Sequence, residues 1–187
     1  PDCGFGYRRR GGSRMLLEMG EELGFQTETI PKEQSHGRDI SSSYIREALY
    51  EGNIPLANEL LGYPYFVSGE VLHGRQIGRT LGLPTTNLLP PPEKLLPPGG
   101  VYLTRTVLEE GEYCGITNVG YKPTVGGESR KGVETFLFDY SGDLYGRQLK
   151  VEFLEFRRPE RKFDSLEALK AQILSDVHGG RSRLKHY

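Results

Sequence analysis

The chain has few cysteines, no long apolar run and no excess of either charge. Cys3 and Cys114 are the only cysteines among 187 residues, and they form no CxxC or zinc-like cluster. Two isolated thiols suit a reduced, cytoplasmic protein and argue against a disulfide framework. No hydrophobic stretch approaches the roughly 18–20 residues of a membrane-spanning helix. The 24 basic and 25 acidic residues nearly cancel, whereas duplex-binding domains usually carry a basic excess. The four histidines (His36, His73, His178, His186) have no metal-ligand spacing. There is no Walker A GK[ST], no dinucleotide GxGxxG, no internal repeat and no low-complexity tail.

What remains is the composition of a soluble globular protein, 36% hydrophobic and 26% charged. Its length suits one domain plus a fragment. Pro1 is not an initiator Met, and no signal-peptide pattern follows it, so we expect a chain that begins partway through a longer protein. The first sixty residues are helical and mixed. Apolar Met15, Leu16, Met19 and Leu23 predict a helix over Arg14–Leu23, stopped at Gly24. Alternation over Phe25–Ile30 predicts a short strand. Ser41–Ser43 would cap a helix burying Ile45, Ala48 and Leu49. Asn53 would cap another, with Pro55 in its first turn, Leu56, Leu60 and Leu61 on one side, and Gly62 and Pro64 as stops.

From Tyr65 the pattern changes. Tyr65–Leu72, Val101–Leu108, Tyr113–Val119, Val133–Tyr140 and Gln148–Phe156 predict strands, separated by turns at Glu110-Gly111, Gly126-Gly127 and Ser141-Gly142-Asp143. Strands with tight turns and no helices between them imply an antiparallel sheet or small barrel. A phase switch at Leu154 and Phe156 predicts a bulge. The Pro90–Pro98 stretch predicts a surface loop. Asp164 or Ser165 would cap a final helix with Leu166, Leu169, Ile173, Leu174 and Val177 on one stripe.

The densest chemical signal is His73–Leu88, HGRQIGRTLGLPTTNL. Gly74, Gly78 and Gly82 recur every fourth residue, with Arg75 and Arg79 between them. Glycines admit phosphate oxygens close to backbone amides, and guanidinium groups complement a polyphosphate. Taken alone, the better reading is a flexible loop with solvated arginines. Directly after it come Pro84, Thr85, Thr86 and Asn87, whose oxygens suit a hard cation such as Mg²⁺. The same residues also suit an ordinary strand start. Glu134 lies on the strand face of Phe136, Phe138 and Tyr140, opposite Val133, Thr135, Leu137 and Asp139. It is a candidate general base, or else a solvated rim carboxylate, which on its own is the better reading. Asn118–Thr124, NVGYKPT, suits a turn. Arg157–Phe163 suits a charged link.

In order, these segments resemble the bacterial bifunctional riboflavin kinase/FMN adenylyltransferase (FAD synthetase) family. Its kinase module carries a GRxLGFPTANL-like stretch, GVY, NxGxxPT, a Glu-bearing strand, DLYG and RxExKF before a helix. They appear here as Gly78–Leu88, Gly100–Tyr102, Asn118–Thr124, Glu134, Asp143–Gly146 and Arg158–Phe163. Leu83 stands where the family has Phe, and Thr86 where it has Ala. The resemblance implies a mainly β fold, a six-stranded antiparallel Greek-key barrel with a C-terminal helix, over 63–187. It implies transfer of the ATP γ-phosphate to riboflavin. Thr85 and Asn87 would hold Mg²⁺. Gly74, Arg75, Gly78, Arg79, Gly82 and Pro84 would join them around the nucleotide. Glu134 would be the base. Asn118, Gly120, Pro123, Thr124, Arg158 and Phe163 would shape the flavin side.

Asp2–Gly11, DCGFGYRRRG, and Ile40–Arg46, ISSSYIR, resemble the adenylyltransferase module, with Cys3 in place of Phe. This implies that 1–62 is a truncated Rossmann-like α/β fragment with linker helices, in which Arg9, Ser42, Ser43 and Arg46 would contact nucleotide. The family's HxGH-type motif is not in this sequence, so these residues alone are expected to make no FAD. Two other readings stay open. A flavin- or nucleotide-binding module would bind riboflavin or ADP without forming FMN. A nucleic-acid-binding barrel would bind oligonucleotides with steep salt dependence. The expected partners are the small molecules riboflavin and ATP, with neither nucleic acid nor membrane.

Overall fold

A computed structural model describes residues 4–74, 78, 82–123 and 129–184. These form two compact units, 1–41 and 42–187. In the first, a 3₁₀ turn at Tyr7–Arg9 precedes α1 (Ser13–Leu23), which ends on left-handed Gly24 at φ 74°. The predicted strand over Phe25–Ile30 is not formed. The Phe25 amide instead donates to the Gly20 carbonyl (3.1 Å), and the Thr27 hydroxyl donates to the Leu16 carbonyl (3.2 Å). The segment thus bonds back onto α1 rather than to a partner strand, and a strand is stable only when its backbone is paired. Extended pairing among the described residues of this unit comprises a two-residue hairpin, β1 (Gln34–Ser35) with β2 (Arg38–Asp39), and an antiparallel bridge between Phe5 and Gly11.

The second unit begins with α2 (Ser42–Tyr50) and α3 (Ile54–Leu61). Tyr44, Ala48 and Leu49 form the buried face of α2. Ile45, expected there, is only half-buried, because the buried positions follow 44, 48 and 49 at helical spacing. The α3 cap is as predicted: the Asn53 side chain accepts from the Leu56 amide (3.3 Å), and Gly62 closes the helix at φ 75°. Asn58 then ties α3 to the sheet. Its amide donates to the Phe153 carbonyl (2.9 Å), and its carbonyl accepts from the Tyr65 amide (2.7 Å).

Six antiparallel strands follow: β3 (Phe66–Glu70), β4 (Thr85–Leu88), β5 (Gly100–Leu108), β6 (Gly111–Pro123), β7 (Ser129–Leu137) and β8 (Gln148–Pro159). Their spatial order is β3-β8-β5-β6-β7-β4. The meander β5-β6-β7, with β8 returning beside β5, is a Greek key. The sheet curls, and a bridge between Leu72 and Asn87 joins its two edges, with the Leu72 amide 2.8 Å from the Asn87 carbonyl. The predicted bulge exists. Leu154 and Arg157 are each skipped in the β5–β8 register, so β8 bends twice, once more than the sequence suggested.

The concave side is filled by fully buried Tyr102, Phe153, Leu88, Leu149, Val67, Val119, Val133 and Val151. Complete burial of a side chain of this size stabilises by roughly 1.5–3 kcal/mol. A chain of hydroxyls runs through it, Thr104 to Thr117 at 2.7 Å and Thr117 to Thr135 at 2.8 Å. On the convex side Val101, Leu103, Ile116, Phe138 and Leu154 form a second cluster, capped by Val177 and Leu184 of the C-terminal segment.

That segment contains α4 (Leu166–Arg183), capped by Ser165, whose hydroxyl accepts from the Ala168 amide (3.1 Å). The expected apolar stripe is only partly used, since Leu166 and Leu174 are 53% and 48% exposed. Gly180 is the buried residue of the helix. The ends of Ile116, Phe138 and Leu103 crowd its Cα, so close approach there, rather than the stripe alone, sets how α4 lies. The proline-rich loop is less superficial than expected. Pro90 and Pro97 are buried, and carbonyls of the loop accept from Arg130, Lys131, Tyr65 and Tyr102. Burial, with Tyr63 close by, pushes the Tyr65 phenol up to about 12. The Gly126-Gly127 turn lies outside the described residues.

Candidate active site

The short strand β4 forms because Thr85 to Leu88 alternate, with Thr86 and Leu88 inward and Thr85 and Asn87 outward. Its register against β7 pairs Asn87 with Glu134 and Thr85 with Phe136. Glu134 also pairs with Asn118 of β6, and Asn118 with Val101 of β5. Asn87, Glu134 and Asn118 therefore stand in one row across three strands, on the convex face. Glu134 is half-buried there, and the Thr85 hydroxyl donates to its Oε1 at 2.6 Å. That length belongs to a strong O–H···O⁻ bond.

The glycines beside this row are required by close approach. A Cβ on Gly74 would stand 2.5 Å from the Asn87 side-chain nitrogen, and one on Gly78 would overlap the Leu83 carbonyl and press on Thr85 Oγ1 at 3.2 Å. Gly82 follows at φ 75°, in the left-handed region. A cleft of about 390 Å³ opens next to them, lined by Gly82, Pro84, Thr85 and Asn87 on one side and by Tyr140 to Tyr145 on the other. That volume lies within the range of small-ligand sites. The far wall is braced. Arg147 forms a two-pronged pair with Glu110 (2.7 Å each), which also accepts from the Tyr140 hydroxyl (3.2 Å). The Arg147 hydrogen bonds hold the Glu110 carboxyl down to about 2.

The match that decides the family lies over this region: a family model described as flavokinase, riboflavin kinase, matches residues 61–184. The chain belongs to the riboflavin kinase family. Bifunctional riboflavin kinase/FMN adenylyltransferases are similar along nearly all of it. The Pseudomonas fluorescens protein is 38% identical over 97% of the chain, and that of Escherichia coli K12 is 40% identical over 94%. The chain spans 58% and 56% of those relatives' own lengths. A solved structure from Streptococcus pneumoniae, described as a macrolide-efflux protein, shares the fold at TM-score 0.85 and 31% identity, covering 96% of this chain and 58% of its own. Among the described residues no helix is long and apolar enough to cross a membrane.

Within the riboflavin kinase domain the predicted residues fall into three groups. Gly74, Gly78, Gly82, Pro84, Thr85, Asn87 and Glu134 are gathered in and around the cleft and the row beside it. Asn118 and Gly120 lie farther along the same face, and Pro123 ends β6 opposite Ser129. Arg158 is held by the C-terminal helix, its guanidinium 2.7 and 3.0 Å from the Asp176 carboxylate, and Phe163 packs under Arg161 at 4.9 Å. Arg75, Arg79 and Thr124 lie outside the described residues. Arg9 is exposed in the first unit, and Ser42, Ser43 and Arg46 are exposed at the start of α2.

One residue escaped sequence reasoning. Glu160 accepts from the Asn118 amide (3.0 Å), and its carboxylate lies so close over Gly120 that no Cβ fits there. Its position inside the charged segment Arg158–Phe163 was visible, but its proximity to the Glu134 row follows from the pairing of the end of β8 with β5, and of β5 with β6.

Proposed function

We propose that this chain transfers the γ-phosphate of ATP to the ribityl 5′-hydroxyl of riboflavin, giving FMN and ADP. The observation that carries the reading is the Thr85–Glu134 hydrogen bond beside Asn87, which brings a hydroxyl, an amide and a carboxylate together next to one cleft. The triphosphate would lie along Gly74–Gly82 and Pro84, where glycine admits close approach to backbone amides. Thr85 and Asn87 bring a hydroxyl oxygen and an amide oxygen to the cleft lining, which contains no histidine or cysteine that would favour a softer metal. These residues fit Mg²⁺ arriving with the nucleotide, as expected for a cation usually bound through few protein ligands plus phosphates. Such an ion would supply neutralisation of the phosphate charge.

The Thr85 hydroxyl has one proton and two lone pairs. It can therefore donate to Glu134 while offering its oxygen to a cation, and the bond keeps the carboxylate aimed. Glu134 takes the proton of the ribityl hydroxyl as that oxygen bonds to the γ-phosphorus. The bond from phosphorus to the β–γ bridging oxygen breaks in line, and ADP leaves with the electron pair. Asn118, Gly120, Pro123, Thr124, Arg158 and Phe163 are proposed to bound the flavin side. Glu160 joins them through Asn118.

Residues 1–62 are proposed to be the C-terminal part of an adenylyltransferase module. Support comes from the two N-terminal motifs and from relatives whose names carry that activity. The nearly balanced charge supports small-molecule partners rather than nucleic acid.

The test is FMN formation from riboflavin and Mg²⁺-ATP, with Glu134→Gln alongside. FMN from the parent and a loss of at least ~10²-fold in the variant, the usual scale for a general base, are expected. Riboflavin binding without FMN would reduce the protein to a binding module.

A further inference from the structure

His73 lies outside the cleft lining, yet its ring stacks on Tyr145 at 3.9 Å with an interplanar angle of 24°. The two rings add a side-chain contact to a junction that backbone hydrogen bonds already make. Tyr145 belongs to the far wall of the cleft. Its backbone there is pinned by the Gly146 amide to the Val71 carbonyl and the Val71 amide to the Arg147 carbonyl, both 3.0 Å. His73 lies between Leu72, whose amide bonds the Asn87 carbonyl, and Gly74, which touches the Asn87 side chain. Residues 72–74 are thus the root of the glycine-rich segment, seated on Asn87 on one side and on Tyr145 on the other. Hydrogen bonds fix the backbone of the wall, but they do not fix the direction of the Tyr145 ring.

We infer that His73 is a positioning residue for the nucleotide: its stack on Tyr145 orients that wall and holds the root of the phosphate segment over Asn87. The inference rests on the kinase reading for the occupant of the cleft. A histidine is not needed for this as an acid or base, because the ring plane does the positioning. An aromatic pair of this kind alters an equilibrium by about 2- to 10-fold.

The experiment compares the parent, His73→Ala and His73→Phe. It measures Mg²⁺-ADP affinity by calorimetry, and KM for ATP, KM for riboflavin and kcat by FMN formation. His73→Ala should weaken Mg²⁺-ADP and raise KM for ATP by the same about 2- to 10-fold, leave KM for riboflavin unchanged, and be rescued by Phe. The inference is overturned if the Ala variant binds Mg²⁺-ADP like the parent, or if Phe fails to restore what Ala loses. A parent that binds Mg²⁺-ADP but forms no FMN sinks the kinase reading while the calorimetric comparison still decides the stack. A parent that does not bind Mg²⁺-ADP overturns both.

Discussion

Replacing Thr85 by Val separates two roles that one hydroxyl is proposed to combine. Val keeps the branched shape, so the methyl packing against Gly78 and the β4–β7 pairing stay in place. What disappears is the 2.6 Å bond to Glu134 and the hydroxyl oxygen that Thr85 brings to the cleft lining. A hydrogen bond to a charged group is worth about 1.5–3 kcal/mol. If that bond is made in the transition state, kcat/KM for FMN formation falls about 10- to 150-fold. Loss of a cation ligand adds a second signature, a rise in the Mg²⁺ concentration giving half-maximal rate. Thr85→Ser restores the hydroxyl and should recover most of both. FMN chromatography across a Mg²⁺ titration measures them together. A Val variant within twofold of the parent at every Mg²⁺ concentration, or a Ser variant as poor as Val, would refute the proposed double role.

Two predictions concern the frame that holds the site. Glu152 is only 4% exposed and bonds Arg105 (2.9 Å) and Lys150 (2.6 Å). Burial alone would raise its carboxyl, but the hydrogen bonds from Lys150 and Arg105 outweigh it and pull the carboxyl below its ordinary range. Glu152→Ala should destabilise by ~1–3 kcal/mol, about 2–10 °C in thermal melts at pH 7. Because the folded carboxyl is depressed, its contribution is present above the ordinary carboxylate range and lost as pH falls through the folded value, so the gap should narrow below about pH 4. An unchanged gap at low pH would show that packing, not charge, is lost. Gly180→Val would set a Cβ 2.9 Å from Ile116 Cδ1 and 3.1 Å from Phe138 Cζ. It should cost ~1–3 kcal/mol by overpacking. A melt equal to the parent's would mean that α4 shifts at no cost.

Local chemistry accounts for much that was legible in advance. Asn53 and Ser165 cap helices wherever their hydroxyl or amide meets the first turn, and the alternating residues of β7 bury one face in any sheet they join. The order of motifs from Gly78 to Phe163 was enough to indicate the family. Pairing decided the rest. Phe25–Ile30 alternates like a strand but bonds back onto α1. Glu134 on its own read as a rim carboxylate; only the register of β4 and β6 against β7 places it between Asn87 and Asn118, within reach of a hydroxyl 49 residues away. The helix α4 follows where Gly180 can approach the sheet, leaving part of its apolar stripe in water, and Arg158 is taken up by Asp176. A sequence specifies which groups a residue carries and which face of its own element it occupies. Which partner it meets across the sheet depends on strand order, bulges and close approach, all of which are set by the fold as a whole.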